Sequence, residues 1–376
     1  MNKIFLDNNS TTPTDPSVLE TMIPYFTEKY GNSSSRTHSF GWEAEAAVEI
    51  AREKIARLIN ADLNEIILTS GATESNNLVF LDILKYSNKH IITASIEHKA
   101  ILDICKHLEK NSTNKITYIN PSKTGLIDLD KLINTINKNT YMISIMHVNN
   151  EIGVIQPIEQ IGKICKDKNI LFHVDAAQSF GKINIDVKKM NIDFLSLSGH
   201  KIYGPKGVGA LYINKKNKIS SIMFGGNQEK SIRPGTLPVP LIAGLGKASE
   251  IAQQNMRNES KKILYLRELL YNEIKKHIKI VQLNGCGINR IEGNLNLSFP
   301  ELNGQSIINS LSKIAVSSGS ACTSSSPKPS HVLLNIGLDK KTINSSIRIG
   351  IGRFNTKDEI LIASHDIINT INSKIQ

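Results

Sequence analysis

Six short apolar runs constrain the fold most: EIILT (65–69), HIITAS (90–95), YMISIMHV (141–148), ILFHVD (170–175), FLSLS (194–198) and GALYI (209–213). Stretches with helical character separate them. A strand that is apolar along most of its length must be covered on both faces, and intervening helices supply that cover. The rhythm predicts an α/β layer around a mostly parallel sheet. In such sheets, sites gather outside the carboxyl ends of the strands. Just upstream, WEAEAAVEIAREKIARLIN predicts a strong helix. Ala44, Ala47, Val48, Ala51, Ile55, Leu58 and Ile59 share one face, and Glu53 and Arg57 stand one turn apart on the other.

Beyond about residue 255 the pattern changes. A polar helix-like stretch, NMRNESKKILYLRELLYNEIKKHI, is followed by the shorter strand-like runs NLNLSF, IAVSSG and SSIRIGIGRF. This reads as a smaller α+β unit, and 376 residues are enough for two domains. The N-terminal residues could cross over to join that unit, although the sequence alone does not show it.

Composition excludes several function classes. No stretch approaches the roughly 20 apolar residues of a membrane span, so no membrane partner is expected. The start, MNKIFLDNNSTTPTDP, resembles neither a signal nor a transit peptide. Four dispersed cysteines make no disulfide framework and lack metal-site spacing, so a reducing cytoplasm is the expected setting. The net charge of +11 raises nucleic acid as a partner. However, the basic residues are scattered, with only short runs such as NKKNK (214–218) and DKK (339–341), and few aromatics lie among them. Direct nucleic-acid binding is not expected; an acidic protein partner or an anionic cofactor uses positive charge equally well.

Four motifs carry chemistry. In TSGATESNN (69–77), a strand leads into a helix, and Ser70, Thr73 and free backbone N–H groups could hold a phosphate at the positive helix end. Plain Ser/Thr capping is the alternative. In FHVDAAQS (172–179), Asp175 closes a strand and Gln178 follows three residues on; the pair could hold a protonated ring nitrogen and a ring hydroxyl, or Asp175 could simply cap the next helix. In SLSGHKIYGPKGVGALYI (196–213), Lys201 follows Ser198, Gly199 and His200 in a glycine-stiffened turn. A lysine fixed at a strand end beside phosphate-type donors suits an imine link to pyridoxal phosphate. In ASIEHKA (94–100), His98 could stack on a pyridine ring or move protons, or be a structural residue. Pyridoxal phosphate needs a lysine, an acid for its ring nitrogen, a phosphate cradle and a ring stacker. The strand ends supply all four.

With these motifs in order, the sequence closely resembles the cysteine desulfurases of the NifS/IscS type, class V aminotransferase-like enzymes that use pyridoxal phosphate. The matching segments are YGNSSSRTHSFGWEAE, TSGATESNN, IEHKA, SIMHVNNEIGVIQPI, FHVDAAQS, SGHKIYGPKGVGALY, RPGTLPVP, SSGSACTS and SSIRIGIGRF, and they run to about residue 355. The resemblance implies the fold type I of pyridoxal phosphate-dependent transferases: a large domain with a mostly parallel seven-stranded sheet, plus a smaller α+β domain. The implied division is 15–255 for the large cofactor-binding domain and 1–14 with 256–376 for the small one, which carries a mobile cysteine loop at about 317–330.

Roles follow residue by residue. Lys201 would link to the cofactor and take the substrate's Cα proton. Asp175 would hold the ring nitrogen, Gln178 the ring hydroxyl, and His98 would stack on the ring. Ala72, Thr73, Ser198 and His200 would take the phosphate. Thr236 would reach the phosphate of a neighbouring subunit, which implies a homodimer. Asn150, beside the cofactor, and Arg348 would hold the substrate carboxylate. Cys322 would accept sulfur as a persulfide while L-cysteine becomes L-alanine, its thiol deprotonated with help from His98 or the substrate. An iron–sulfur scaffold protein is the implied acceptor, with tRNA thiolation a further outlet. No metal is expected in the catalytic site, apart from transient ligation of an iron–sulfur cluster by Cys322.

Three departures stand out. Pro234 replaces a usual serine, His331 stands where tyrosine is common, and the chain stops at INTINSKIQ, without the longer tail that docks the scaffold in many members. Cys105 and Cys165 read as packing residues, and Cys286 as a turn residue. Cys322 lies in SSGSACTSSSP, where small neighbours, with Pro327 and Pro329 beyond, suit a moving arm. A lyase or aminotransferase on the same fold would not need Cys322, and a non-enzymatic assembly component would not need Lys201 or Asp175.

Overall fold

Alternation along the central strands decides how the layers pack. The computed structural model describes residues 3–318 and 329–375. Its strands in chain order are β1 (Ile4–Phe5), β2 (Ile66–Thr69), β3 (His90–Ala94), β4 (Lys115–Ile119), β5 (Thr140–Ser144), β6 (Leu171–Asp175), β7 (Phe194–Ser198), β8 (Gly209–Ile213), β9 (Gln282–Leu283), β10 (Asn294–Ser298), β11 (Ile314–Ala315) and β12 (Ser346–Gly350). Seven of them form the central sheet, in the order β2-β8-β7-β6-β5-β3-β4. Only β8 runs against its neighbours. All six apolar runs of the sequence lie in this sheet; the run at 141–148 leaves it after Ser144.

Successive strand residues point to opposite faces. Leu68, Ile92, Val174, Leu195 and Tyr212 pack into one core with the helices Ser39–Leu58 and Ile158–Asp167. Ile67, Ile91, Phe194 and Leu211 pack into another with the helices Ala72–Asp82 and Lys99–Asn111. The predicted helix at 42–60 is present as Ser39–Leu58, and Arg57 pairs with Glu53 at 2.6 Å. Cys105 and Cys165 are both buried on helices, as packing residues should be.

A third core holds the small sheet. Strands β9, β10 and β12 are antiparallel neighbours, and β1 pairs in parallel with β11. The N-terminal residues therefore do cross over: Leu6 joins Ile314, Leu297, Ile347 and Ile349 in this core. One 39-residue helix, Val239–His277, runs through the boundary expected at 255. Its first half buries Ile242, Leu245 and Ala248 in the large core, and its second half buries Leu266, Leu270 and Ile274 in the small one. The polar stretch at 255–278 is thus the second half of a longer helix. Among the described residues, no helix is long and apolar enough to cross a membrane.

Candidate active site

The central sheet opens at its carboxyl end into a cavity of about 480 Å³. Eleven sequence-predicted residues line it: Ser70, Ala72, Thr73, His98, Asn150, Asp175, Gln178, Ser198, His200, Lys201 and Arg348. They come from separate strand ends and loops, as expected of a largely parallel sheet. Thr236 does not line the cavity; it lies exposed on the loop before the helix Val239–His277. Cys322 lies outside the described residues, as does most of the predicted loop.

Asp175 closes β6 and is almost buried, at 5% exposure. Its Oδ2 accepts from Asn76 Nδ2 at 3.0 Å, and its Oδ1 from the Ala177 N–H at 2.9 Å. Phe172 and Val174 point into the other core, so Asp175 faces the helix Ala72–Asp82, which brings Asn76. The helix expected after Asp175 does not form; the chain turns instead.

The helix Ala72–Asp82 has Gly71 at its N-cap, with no side chain capping its first turn. Its first N–H groups have no intrahelical partner and remain for an anion. Ser/Thr capping is therefore not the role of this motif. Gly71 has φ +150°, and a Cβ there would meet Ser198 Oγ at 3.4 Å. Glu74 accepts from Arg233 and from the Ser70 N–H. Burial works to raise its pKa, but these donors prevail and hold it below the usual carboxylate range.

Lys201 ends the turn Gly199–Lys201 directly after β7. Its Nζ donates to the Asn9 carbonyl at 2.8 Å and the Ser10 carbonyl at 2.5 Å. His200 Nδ1 sits 3.0 Å from Thr11 Oγ1. Burial, reinforced by the charge of Lys201, lowers His200 to about 4, so its ring is neutral. His98 caps the helix Lys99–Asn111, its Nδ1 accepting from the Ala100 N–H at 3.1 Å. Burial lowers its pKa too; Asp175 opposes this and Lys201 adds to it. His98 is both a structural cap and a cavity residue.

Arg348 on β12 reaches in from the small sheet. Its Nη1 donates to the Asn150 carbonyl at 3.0 Å, and its Nη2 to Asp7 Oδ1 at 2.8 Å. The segment Asp7–Thr12 was missed by sequence reasoning. It crosses from the small core to the cavity, and the Asn9 carbonyl also accepts from Gln178 Nε2 at 2.8 Å. The only signal was NNSTT, a knot of amides and hydroxyls with no helical or strand period.

The site fits pyridoxal phosphate on its own chemistry. Gln178 Oε1 is buried in the wall without a partner, an acceptor suited to a ligand hydroxyl. Asp175 offers a carboxylate, Lys201 an amine, and the helix end an anion cradle. Among the described residues, no cluster of histidine, cysteine and carboxylates could hold a metal ion.

Comparison with known proteins agrees with this geometry. The family model for class-V aminotransferases matches residues 4–362. "Cysteine desulfurase IscS" of Ehrlichia chaffeensis is 55% identical over 374 residues, covering 98% of this chain and 91% of that one. "Cysteine desulfurase IscS" of Rickettsia rickettsii is 54% identical over 377 residues, covering 99% and 91%. Among solved structures, a NifS-like protein superposes with a TM-score of 0.92 at 36% identity, covering 99% of this chain and 100% of the other. A structure described as SspA in complex with cysteine superposes at 0.83 with 38% identity, covering 94% and 100%. The chain belongs to the class-V aminotransferase family of pyridoxal phosphate enzymes and, within it, to the cysteine desulfurases of the NifS/IscS type.

Proposed function

We propose that the chain removes sulfur from L-cysteine, releases L-alanine and leaves a persulfide on Cys322. The convergence of Lys201, Asp175, Gln178, His98 and an uncapped helix end on one cavity, with Arg348 reaching in from the small sheet, carries this reading. Bound pyridoxal phosphate supplies an electron sink for charge developing at the substrate's Cα.

The chain's own groups do the rest. Ala72, Thr73, Ser198 and His200 hold the phosphate. Asp175 keeps the ring nitrogen protonated by offering it a buried carboxylate. Gln178 accepts from the ring hydroxyl, and the neutral His98 ring packs on the cofactor. Arg348 and Asn150 orient the substrate by its carboxylate; the planar guanidinium forms paired hydrogen bonds with such a group. Lys201, which lines the cavity, would take the Cα proton. The Cys322 thiolate then bonds to the substrate sulfur, the substrate's carbon–sulfur bond breaks, and its electron pair stays with the carbon skeleton that becomes alanine.

Thr236 serves the phosphate of a partner subunit in a homodimer; its exposure outside its own cavity supports this reading. The persulfide passes to acceptors of iron–sulfur cluster assembly, with tRNA thiolation a further outlet. The free thiols of Cys105, Cys165 and Cys286 suit a reducing cytoplasm. Residues 15–255 serve as the large cofactor domain and 1–14 with 256–376 as the small one.

Cys322→Ala tests the reading. The variant should keep the visible absorption of bound cofactor and its change on adding L-cysteine, yet lose turnover. Alanine release at the parental rate would instead mark a lyase that needs no acceptor thiol.

A further inference from the structure

The segment that carries Cys322 leaves the described structure after Ser318 and returns at Pro329. Both ends are fastened to the surroundings of one arginine. On the first side, Ser317 exchanges backbone hydrogen bonds with Arg348: Ser317 N–H to the Arg348 carbonyl at 3.2 Å, and Arg348 N–H to the Ser317 carbonyl at 2.6 Å. The Ser317 hydroxyl also donates to Asp7 Oδ1 at 3.0 Å, the oxygen that Arg348 Nη2 contacts at 2.8 Å.

On the second side, thirteen positions later, Ser330 Oγ donates to Glu151 Oε2 at 2.5 Å. Glu151 adjoins Asn150, whose carbonyl accepts from Arg348 Nη1 at 3.0 Å. The following residue, His331, donates from Nε2 to the Glu97 carbonyl at 2.9 Å, next to His98.

Ser330 caps the helix His331–Asn335, accepting from the Leu333 N–H at 3.1 Å. Capping alone needs only the hydroxyl's lone pair. The bond to Glu151 is additional, and it draws on a carboxyl group only 3% exposed. Burial pushes that carboxyl's pKa up, while the Ser330 hydroxyl and the charges of His331 and Arg348 work the other way. A buried carboxyl group is costly to keep unless it has a specific partner, and Ser330 is that partner.

We propose that Glu151 and Ser330 are positioning residues for sulfur transfer: with Asp7 and Ser317, they tie both ends of the cysteine-bearing segment to Arg348, the residue that takes the substrate carboxylate. This rests on the desulfurase reading. Its consequence is that the substrate carboxylate and the two described ends of that segment are referenced to the same guanidinium. Loosening the second end should therefore slow sulfur transfer without weakening substrate binding.

The test uses full-length, cofactor-loaded Ser330→Ala, Ser330→Thr and Glu151→Gln. Persulfide formation is followed in a single turnover, and L-cysteine affinity by the change in cofactor absorption. Ser330→Ala and Glu151→Gln should slow transfer roughly 10- to 100-fold, the range set by a misplacement of about 1 Å, with L-cysteine affinity and cofactor content unchanged. Ser330→Thr keeps the hydroxyl and should transfer near the parental rate, even if Ser330→Ala folds poorly. Parental transfer rates in Ser330→Ala and Glu151→Gln overturn the proposal. So does slower transfer matched by an equal loss of L-cysteine affinity, or a Ser330→Thr as slow as Ser330→Ala. If Cys322→Ala is inactive while Ser330→Ala and Glu151→Gln transfer normally, this proposal alone fails. If Cys322→Ala works at the parental rate, the desulfurase reading fails with it.

Discussion

Asp175→Asn separates the electrostatic role of this residue from its structural one. The carboxylate accepts from Asn76 Nδ2 and the Ala177 N–H. An asparagine of the same shape keeps one oxygen for Ala177 but turns an NH₂ toward the Asn76 amide. That conflict has a local remedy. Asn76 Oδ1 is buried without a partner, so rotating the Asn76 amide presents it as an acceptor. The fold should then lose no more than about 1 kcal/mol, roughly one ordinary hydrogen bond. In a chain of this length that moves the unfolding midpoint by at most about 2 °C. Catalysis loses much more. Two unit charges about 4 Å apart interact by about 4 kcal/mol at an effective dielectric near 20, which is on the order of 10³ in rate. Alanine release at saturating cofactor and L-cysteine measures the loss, and thermal unfolding supplies the control. A variant within about tenfold of the parent would refute the electrostatic role. A large drop in unfolding midpoint would show that Asp175 chiefly holds the fold.

Two stability predictions follow from buried ionisable groups. Glu229 accepts from Arg52 Nη1 at 2.9 Å, Arg52 Nη2 at 2.7 Å and the Leu68 N–H at 2.6 Å, and it opens three successive left-handed residues, Glu229, Lys230 and Ser231. Glu229→Ala strands a buried guanidinium and should cost about 3–5 kcal/mol in denaturant unfolding; a loss below about 1 kcal/mol would mean that the pair does not hold this loop. Burial lowers both His147 and His173 to about 4. The unfolded chain binds these protons from about pH 6.5 down, so the folded state loses stability as pH falls from there to about 4, by about 3 kcal/mol per histidine. His173→Gln should flatten that slope by one proton, and an unchanged slope would contradict the assignment.

The central strands and the chemistry at their ends were legible because both are local. An apolar run marks a buried strand, and a motif such as SGHKIYGPKG brings its own turn. Edge strand β4, KITYI, escaped because it is half-exposed, so its apolar pattern is weak. The start of the helix Val239–His277 carries glycines at 244 and 246, which weaken a helical pattern. They are there for close packing: a Cβ at Gly246 would come within 2.6 Å of Ala51. Least legible were the long-range contacts. Nothing near Asp7 announces that it will meet Arg348, 341 residues away, because β1 finds β11 only when the chain closes.

The sulfur's destination tests the account most directly. One equivalent of L-cysteine is added to the cofactor-loaded protein, and the peptide containing Cys322 is isolated under alkylating conditions and weighed. Cys322 should carry one added sulfur atom and one alanine should be released, with neither in Lys201→Ala. Alanine formed in equal amount with Cys322 unmodified, and the sulfur released at the zero oxidation level from the first turnover, would contradict the account.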